Sequence, residues 1–157
     1  MATAMRTSNR QVVVRQKRWA AVTLAASTLA VGGIAVLPWF NKSLGHRSGS
    51  GRTFYQNYAV GADNVFVYFA IVIAFVVIAT VAFIGTSRVS SWVGIALGAF
   101  MLADGGWKMG AWLNIETEFN LAPGVGFYSL MAGASLALVA SVMLLVNSYA
   151  HPTLEED

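Results

Sequence analysis

Twenty consecutive residues, Val65 to Ile84, carry no charge, and their Val, Ile, Phe and Ala side chains leave no helix-long polar stripe. A helix apolar on every side must be surrounded by apolar matter, and at about 1.5 Å per residue this one reaches across the ~30 Å hydrocarbon core of a bilayer. Three further runs share this character. Trp19 to Leu37 holds no charged residue and stops at Pro38. The stretch from Ser90 to Leu113 is apolar apart from Asp104 and Lys108, and the run from Gly124 to Val146 opens just after Pro123. Proline is tolerated at a helix start because its missing N–H would be unpaired there anyway. Asp63 and Asn64 stand before the second run, where a side-chain oxygen can accept from the first-turn N–H groups.

Composition agrees: 57% of the 157 residues are hydrophobic and 11% charged, against roughly a quarter charged in a soluble domain. With no cysteine, a disulfide scaffold and Cys-ligated zinc or iron–sulfur sites are excluded. The expected fold is an all-α integral membrane domain of four transmembrane helices. A basic arm (1–18) leads to spans at 19–37, 65–84, 90–113 and 124–146. Outer loops fill 38–64 and 114–123, an inner turn 85–89, and an acidic tail 147–157. A cleaved signal peptide would also begin with basic residues, but the first run is longer than a signal core and Leu37-Pro38-Trp39 is not a small-residue cleavage site.

Charge in the flanks orients the spans. Arg6, Arg10, Arg15, Lys17 and Arg18 precede the first one, and with Arg88 they put six basic residues on one side against Lys42, Arg47, Arg52 and Lys108 on the other. The positive-inside rule then predicts an antiparallel up-down bundle with both termini in the cytoplasm. The tryptophans at 19, 39, 92, 107 and 112 fall near span ends, where indole rings sit at headgroup level. The four-residue turn Gly85-Thr86-Ser87-Arg88 makes spans two and three neighbours, and Ser48-Gly49-Ser50-Gly51 reads as flexible.

Few residues carry chemistry. His46 and His151 fall on opposite predicted sides, so they cannot jointly clamp a haem or build a zinc site. Hydrolase and phosphate-loop signatures are missing, and Glu116 and Glu118 read as a solvated acidic loop. The expectation is therefore no catalysis, no cofactor and no metal. The basic arm has no interleaved aromatics of a nucleic-acid binder; its five cations, with Phe54, Tyr55 and Tyr58 of the first outer loop, suit contact with lipid or a partner subunit.

Asp104 and Lys108 leave two readings open. If span three continues as helix they lie at i and i+4, an intramembrane ion pair with the acid in the favourable N-terminal position. If Gly105-Gly106 ends the helix, both charges belong in the headgroup layer. Small residues mark the other signal. On span three Gly94, Gly98, Met101, Gly105, Lys108 and Trp112 share one line, and Trp92, Ala96, Phe100, Ala103 and Trp107 lie opposite. Span four repeats the pattern with Ser129, Gly133, Ala137 and Ser141, and span one with Ala21, Ala25, Thr28, Gly32 and Ala35. Such seams let backbones approach closely, either within the four-helix unit or against another protein.

The order of a basic arm, a span ending Leu37-Pro38-Trp39-Phe40, a Gly/Ser-bearing loop, a short basic turn and a last span opening Pro123-Gly124-Val125-Gly126-Phe127-Tyr128 resembles small four-span membrane proteins of actinobacteria. Some of these are accessory subunits of larger assemblies, the cytochrome bcc–aa3 respiratory supercomplex among them. The resemblance implies a multi-pass protein of the plasma membrane, with other membrane subunits and lipids as its partners. The main functional expectation is a non-catalytic accessory subunit; the alternative is a small homo-oligomeric channel or transporter with Asp104 and Lys108 on a polar path.

Overall fold

Neither glycine nor proline occurs between Ala2 and Val31, so nothing in the backbone interrupts a helix there. In the structure, a computed structural model that describes residues 2–37, 40–44, 47–49, 63–85, 87–115 and 121–150, helix α1 runs Ala2–Val31. The basic arm is thus continuous with the first span rather than a segment set before it. At Gly32-Gly33 the helix widens into one π-helical turn, Gly32–Val36, closed by the Leu37 N–H donating to the Gly32 carbonyl at 2.9 Å. Leu37 then turns extended, at φ −91° and ψ 145°, the conformation imposed on a residue that precedes proline.

Three more helices follow: α2 at Asp63–Ile84, α3 at Arg88–Ile115 and α4 at Val125–Ala150. Together with α1 they supply four stretches long and apolar enough to cross a membrane, Gln11–Ala35, Phe66–Ile84, Arg88–Gly110 and Val125–Ala150. This is the fold of a multi-pass membrane protein. The start of α3 is capped by Ser87, whose hydroxyl accepts from the Ser90 N–H at 3.2 Å.

The inter-helix segments hold more order than the sequence suggests. Strands β1 (Phe40–Leu44), β2 (Arg47–Gly49) and β3 (Leu121–Pro123) form a small antiparallel sheet in the order β2-β1-β3. Leu44 pairs with Arg47, Lys42 with Gly49 and Asn41 with Ala122. Ser48 and Gly49, expected to be flexible, are held in β2 by this hairpin register. The sheet also joins the segment after α1 to the segment before α4, bringing both loops to the same end of the helices.

Helix α4 packs along both α1 and α3, while α2 lies mainly on α1. The core side chains of α2, Tyr68, Ile71, Val72, Phe75, Ile78, Ala79 and Ala82, recur at helical spacing. Its other face leaves Phe66, Ile73, Val77 and Ile84 exposed, as a lipid-facing surface requires.

Candidate functional site

Helix α3 passes through Gly105 and Gly106 without a break and continues to Ile115, so the reading in which these glycines end the helix does not hold. Asp104 and Lys108 consequently share a face one turn apart, and the Lys108 ammonium donates to Asp104 Oδ2. The same carboxylate oxygen accepts from the Tyr68 hydroxyl of α2 at 2.6 Å. Tyr68 is fully buried, and the Lys108 nitrogen stands 5.0 Å from the centre of its ring. The Lys108 and Asp104 side chains are only 15% and 25% exposed, respectively. A carboxylate shared between an ammonium and a phenol leaves the group neutral overall, which suits an apolar surrounding where a lone charge is costly.

Gly105 brings the cluster close to α4. A Cβ on Gly105 would lie 3.7 Å from the Tyr68 hydroxyl and collide with the Met131 methyl of α4. The cluster therefore sits where α2, α3 and α4 converge, and it pins α2 to α3 by polar contact. The sequence reading missed Tyr68. Its signal was present, as the one tyrosine in the most apolar run, but its partner lies 36 residues away.

The α3 seam falls inward, within the four-helix unit. Gly94, Gly98, Met101 and Gly105 are buried, and Trp92, Ala96, Phe100, Ala103 and Trp107 are exposed. A Cβ on Gly94 would strike the Ser141 hydroxyl, and one on Gly98 would meet the Leu138 backbone at 3.2 Å. On α4, Gly133 meets α1, where an added Cβ would come within 2.7 Å of the Ala26 carbonyl oxygen. Ser129 donates to the Leu29 carbonyl at 2.8 Å, and Ala137 and Ser141 are buried. The seams of α3 and α4 are therefore closed within the chain.

The stripe on α1 is placed otherwise. Ala21, Ala25, Thr28 and Ala35 are exposed and Gly32 half-buried. The buried face is instead Ala20, Thr23, Ala26, Ser27, Ala30 and Ile34. In the basic arm, Arg15, Lys17 and Arg18 are exposed, while Arg6 and Arg10 lie on the first turns of α1. Gln16 is buried among them and donates to the Ala82 carbonyl of α2 at 2.7 Å, a tie the sequence did not suggest. At the same end Arg88 covers the Tyr149 ring at 4.9 Å. Phe54, Tyr55, Tyr58, His46, His151, Glu116 and Glu118 lie outside the described residues. Among the described residues no three His, Cys, Asp or Glu side chains gather as a metal site would require.

Comparison with protein-family models, with curated proteins and with solved structures finds no match in any of the three.

Proposed function

We propose that this chain is a non-catalytic accessory subunit of a multi-subunit membrane complex. The observation that carries this reading is the stripe of exposed Ala21, Ala25 and Thr28 on α1, continued by half-buried Gly32 and exposed Ala35 in the π-helical turn. The Gly94–Gly98–Gly105 seam of α3 and the Gly133–Ala137–Ser141 seam of α4 are consumed inside the bundle, and this stripe presents small side chains to whatever lies beside it. In lipid, helices associate through close backbone approach rather than through a hydrophobic effect. A partner helix there would gain contacts that lipid chains match poorly. The Tyr68–Asp104–Lys108 cluster serves this role by fixing the bundle that presents the stripe.

In this proposal the four helices alternate in direction, with both termini in the cytoplasm of a bacterial cell. Support comes from contacts running in opposite order along neighbours: Gly33 with Gly126 and Leu130 but Ala26 and Ala30 with Gly133, and Gly94 with Ser141 but Gly105 with Met131. The basic side chains of α1 supply the inward bias. The sharper form, carried by the resemblance alone, places the subunit in a respiratory supercomplex. Purification in mild detergent through a tag on this chain tests both levels. Stoichiometric membrane partners support the general reading, and haem absorbance in the same eluate supports the sharper one.

A further inference from the structure

Near the start of the first span, Arg15, Arg18, Trp19 and Val22 line a cavity of about 260 Å³. These positions are i, i+3, i+4 and i+7, a single face of α1. Their chemistry changes in order along the axis. Two exposed guanidinium groups come first, a half-buried indole next, and a half-buried valine last. From Arg15 to Val22 the helix rises about 10 Å, comparable with the depth of a headgroup layer plus the first methylenes beneath it. Leu29, exposed and two turns beyond Val22, continues this face as apolar surface.

We infer that this cavity is a binding site for an anionic phospholipid. Guanidinium groups present paired N–H donors that match phosphate oxygens, and two of them a turn apart complement one negatively charged headgroup. Trp19 is anchored from below by packing on Ala20, Ala82 and Leu144, so its ring forms a fixed wall. The volume falls short of the ~300–1,000 Å³ that encloses a whole small ligand. It suits part of an amphiphile whose remainder lies along the helix. A free anion has no use for the Trp19 and Val22 half of the lining, whereas an acyl chain does. Among the described residues no acidic side chain lines the cavity. The inference requires only that α1 enters a bilayer, so it stands or falls separately from the subunit proposal.

The test uses the full chain in phosphatidylcholine vesicles containing a small fraction of either phosphatidylglycerol or phosphatidylcholine with brominated acyl chains. Quenching at Trp19 is isolated by subtracting the Trp19→Phe variant. Brominated phosphatidylglycerol is expected to quench Trp19 more than brominated phosphatidylcholine does. Arg15→Gln with Arg18→Gln should reduce that preference by roughly tenfold or more, a loss in line with the strength of two basic residues at an anionic surface. Arg6→Gln with Arg10→Gln removes the same charge from positions on a different face of α1 by helical phase and should retain most of the preference. Equal quenching by the two lipids would overturn the inference, as would equal losses in the two double variants, which indicate diffuse attraction. Displacement of the brominated lipid by inorganic phosphate would overturn it too.

Discussion

A methyl group added at Gly33 would land 2.6 Å from the Gly126 carbonyl oxygen and 2.7 Å from the Leu130 amide nitrogen. Both are backbone atoms, so relief requires α1 and α4 to separate. Gly33→Ala should destabilise the protein by about 1–3 kcal/mol, the usual range for overpacking. Gly106 is the counterpart, a helical glycine with nothing within 4 Å of an added Cβ. Gly106→Ala should gain about 0.5–1 kcal/mol from reduced backbone freedom alone. Thermal melting of the two variants in one detergent checks the opposite signs. At Asp104 a double-mutant cycle gives the pair energy. Asp104→Asn leaves the Lys108 ammonium in a largely buried site and should cost about 1–3 kcal/mol, below the range for fully enclosed pairs because Asp104 is a quarter exposed. Adding Lys108→Met should recover part of that loss, and Tyr68→Phe alone should cost about 1–2 kcal/mol for the bond to a charged acceptor. A double variant as unstable as the sum of its singles would show that the residues do not act together. At this scale legibility depended on contrast. Gly94, Gly98 and Gly105 stand against Trp92, Phe100 and Trp107, so the phase of α3 could be read directly. The first span has alanine at 20, 21, 25, 26, 30 and 35, small residues on both faces, and periodicity cannot choose between them.

Helices α2, α3 and α4 were legible because each is long and nearly free of charge. Two features at element scale were not. The first is the length of α1: a basic segment before an apolar one reads as a separate arm, yet the absence of glycine and proline lets one helix carry both, and the buried Gln16 ties the basic part to α2. The second is the sheet. Its strands are three to five residues long, and β1 pairs with β3 across some 80 positions, a contact no local pattern encodes. The sheet yields a clean prediction because the chain has no cysteine. Asn41 faces Ala122 across β1 and β3, and opposed residues in an antiparallel pair lie at Cα separations of about 4.5–5.5 Å, within disulfide range. Asn41→Cys with Ala122→Cys should therefore oxidise to an intramolecular bridge, visible as a reversible shift in gel mobility. Replacing the second site by Ala103→Cys, on the exposed face of α3, should give none. Failure of the first pair to close would remove the sheet from the account.

Across the whole molecule, the inner surfaces are used up and the outer ones are not. The seams of α3 and α4 close on neighbours within the chain, and the principal charged pair inside the bundle is balanced by its own partners. What remains facing outward is of two kinds: bulky apolar surface, as at Phe66, Ile73 and Val77 of α2, Trp92, Phe100 and Trp107 of α3 and Val139 and Val146 of α4, and the small-residue line along the first span. The first suits fluid lipid, and the second suits another helix. The proposed subunit would offer the second surface as a docking face, whereas a channel would route a polar path through Asp104 and Lys108. Function was less legible than fold for a physical reason: the packing role proposed above would leave no catalytic constellation to find, only the direction in which small residues face. The most direct measurement is the stoichiometry of proteins co-purified in mild detergent with the tagged chain and with an Ala21→Leu, Ala25→Leu variant that fills the α1 stripe while leaving the buried face intact. The account predicts a membrane partner at fixed ratio with the unaltered chain, and its loss from the variant at an unchanged melting temperature. A monodisperse monomer or homo-oligomer from the unaltered chain would contradict it.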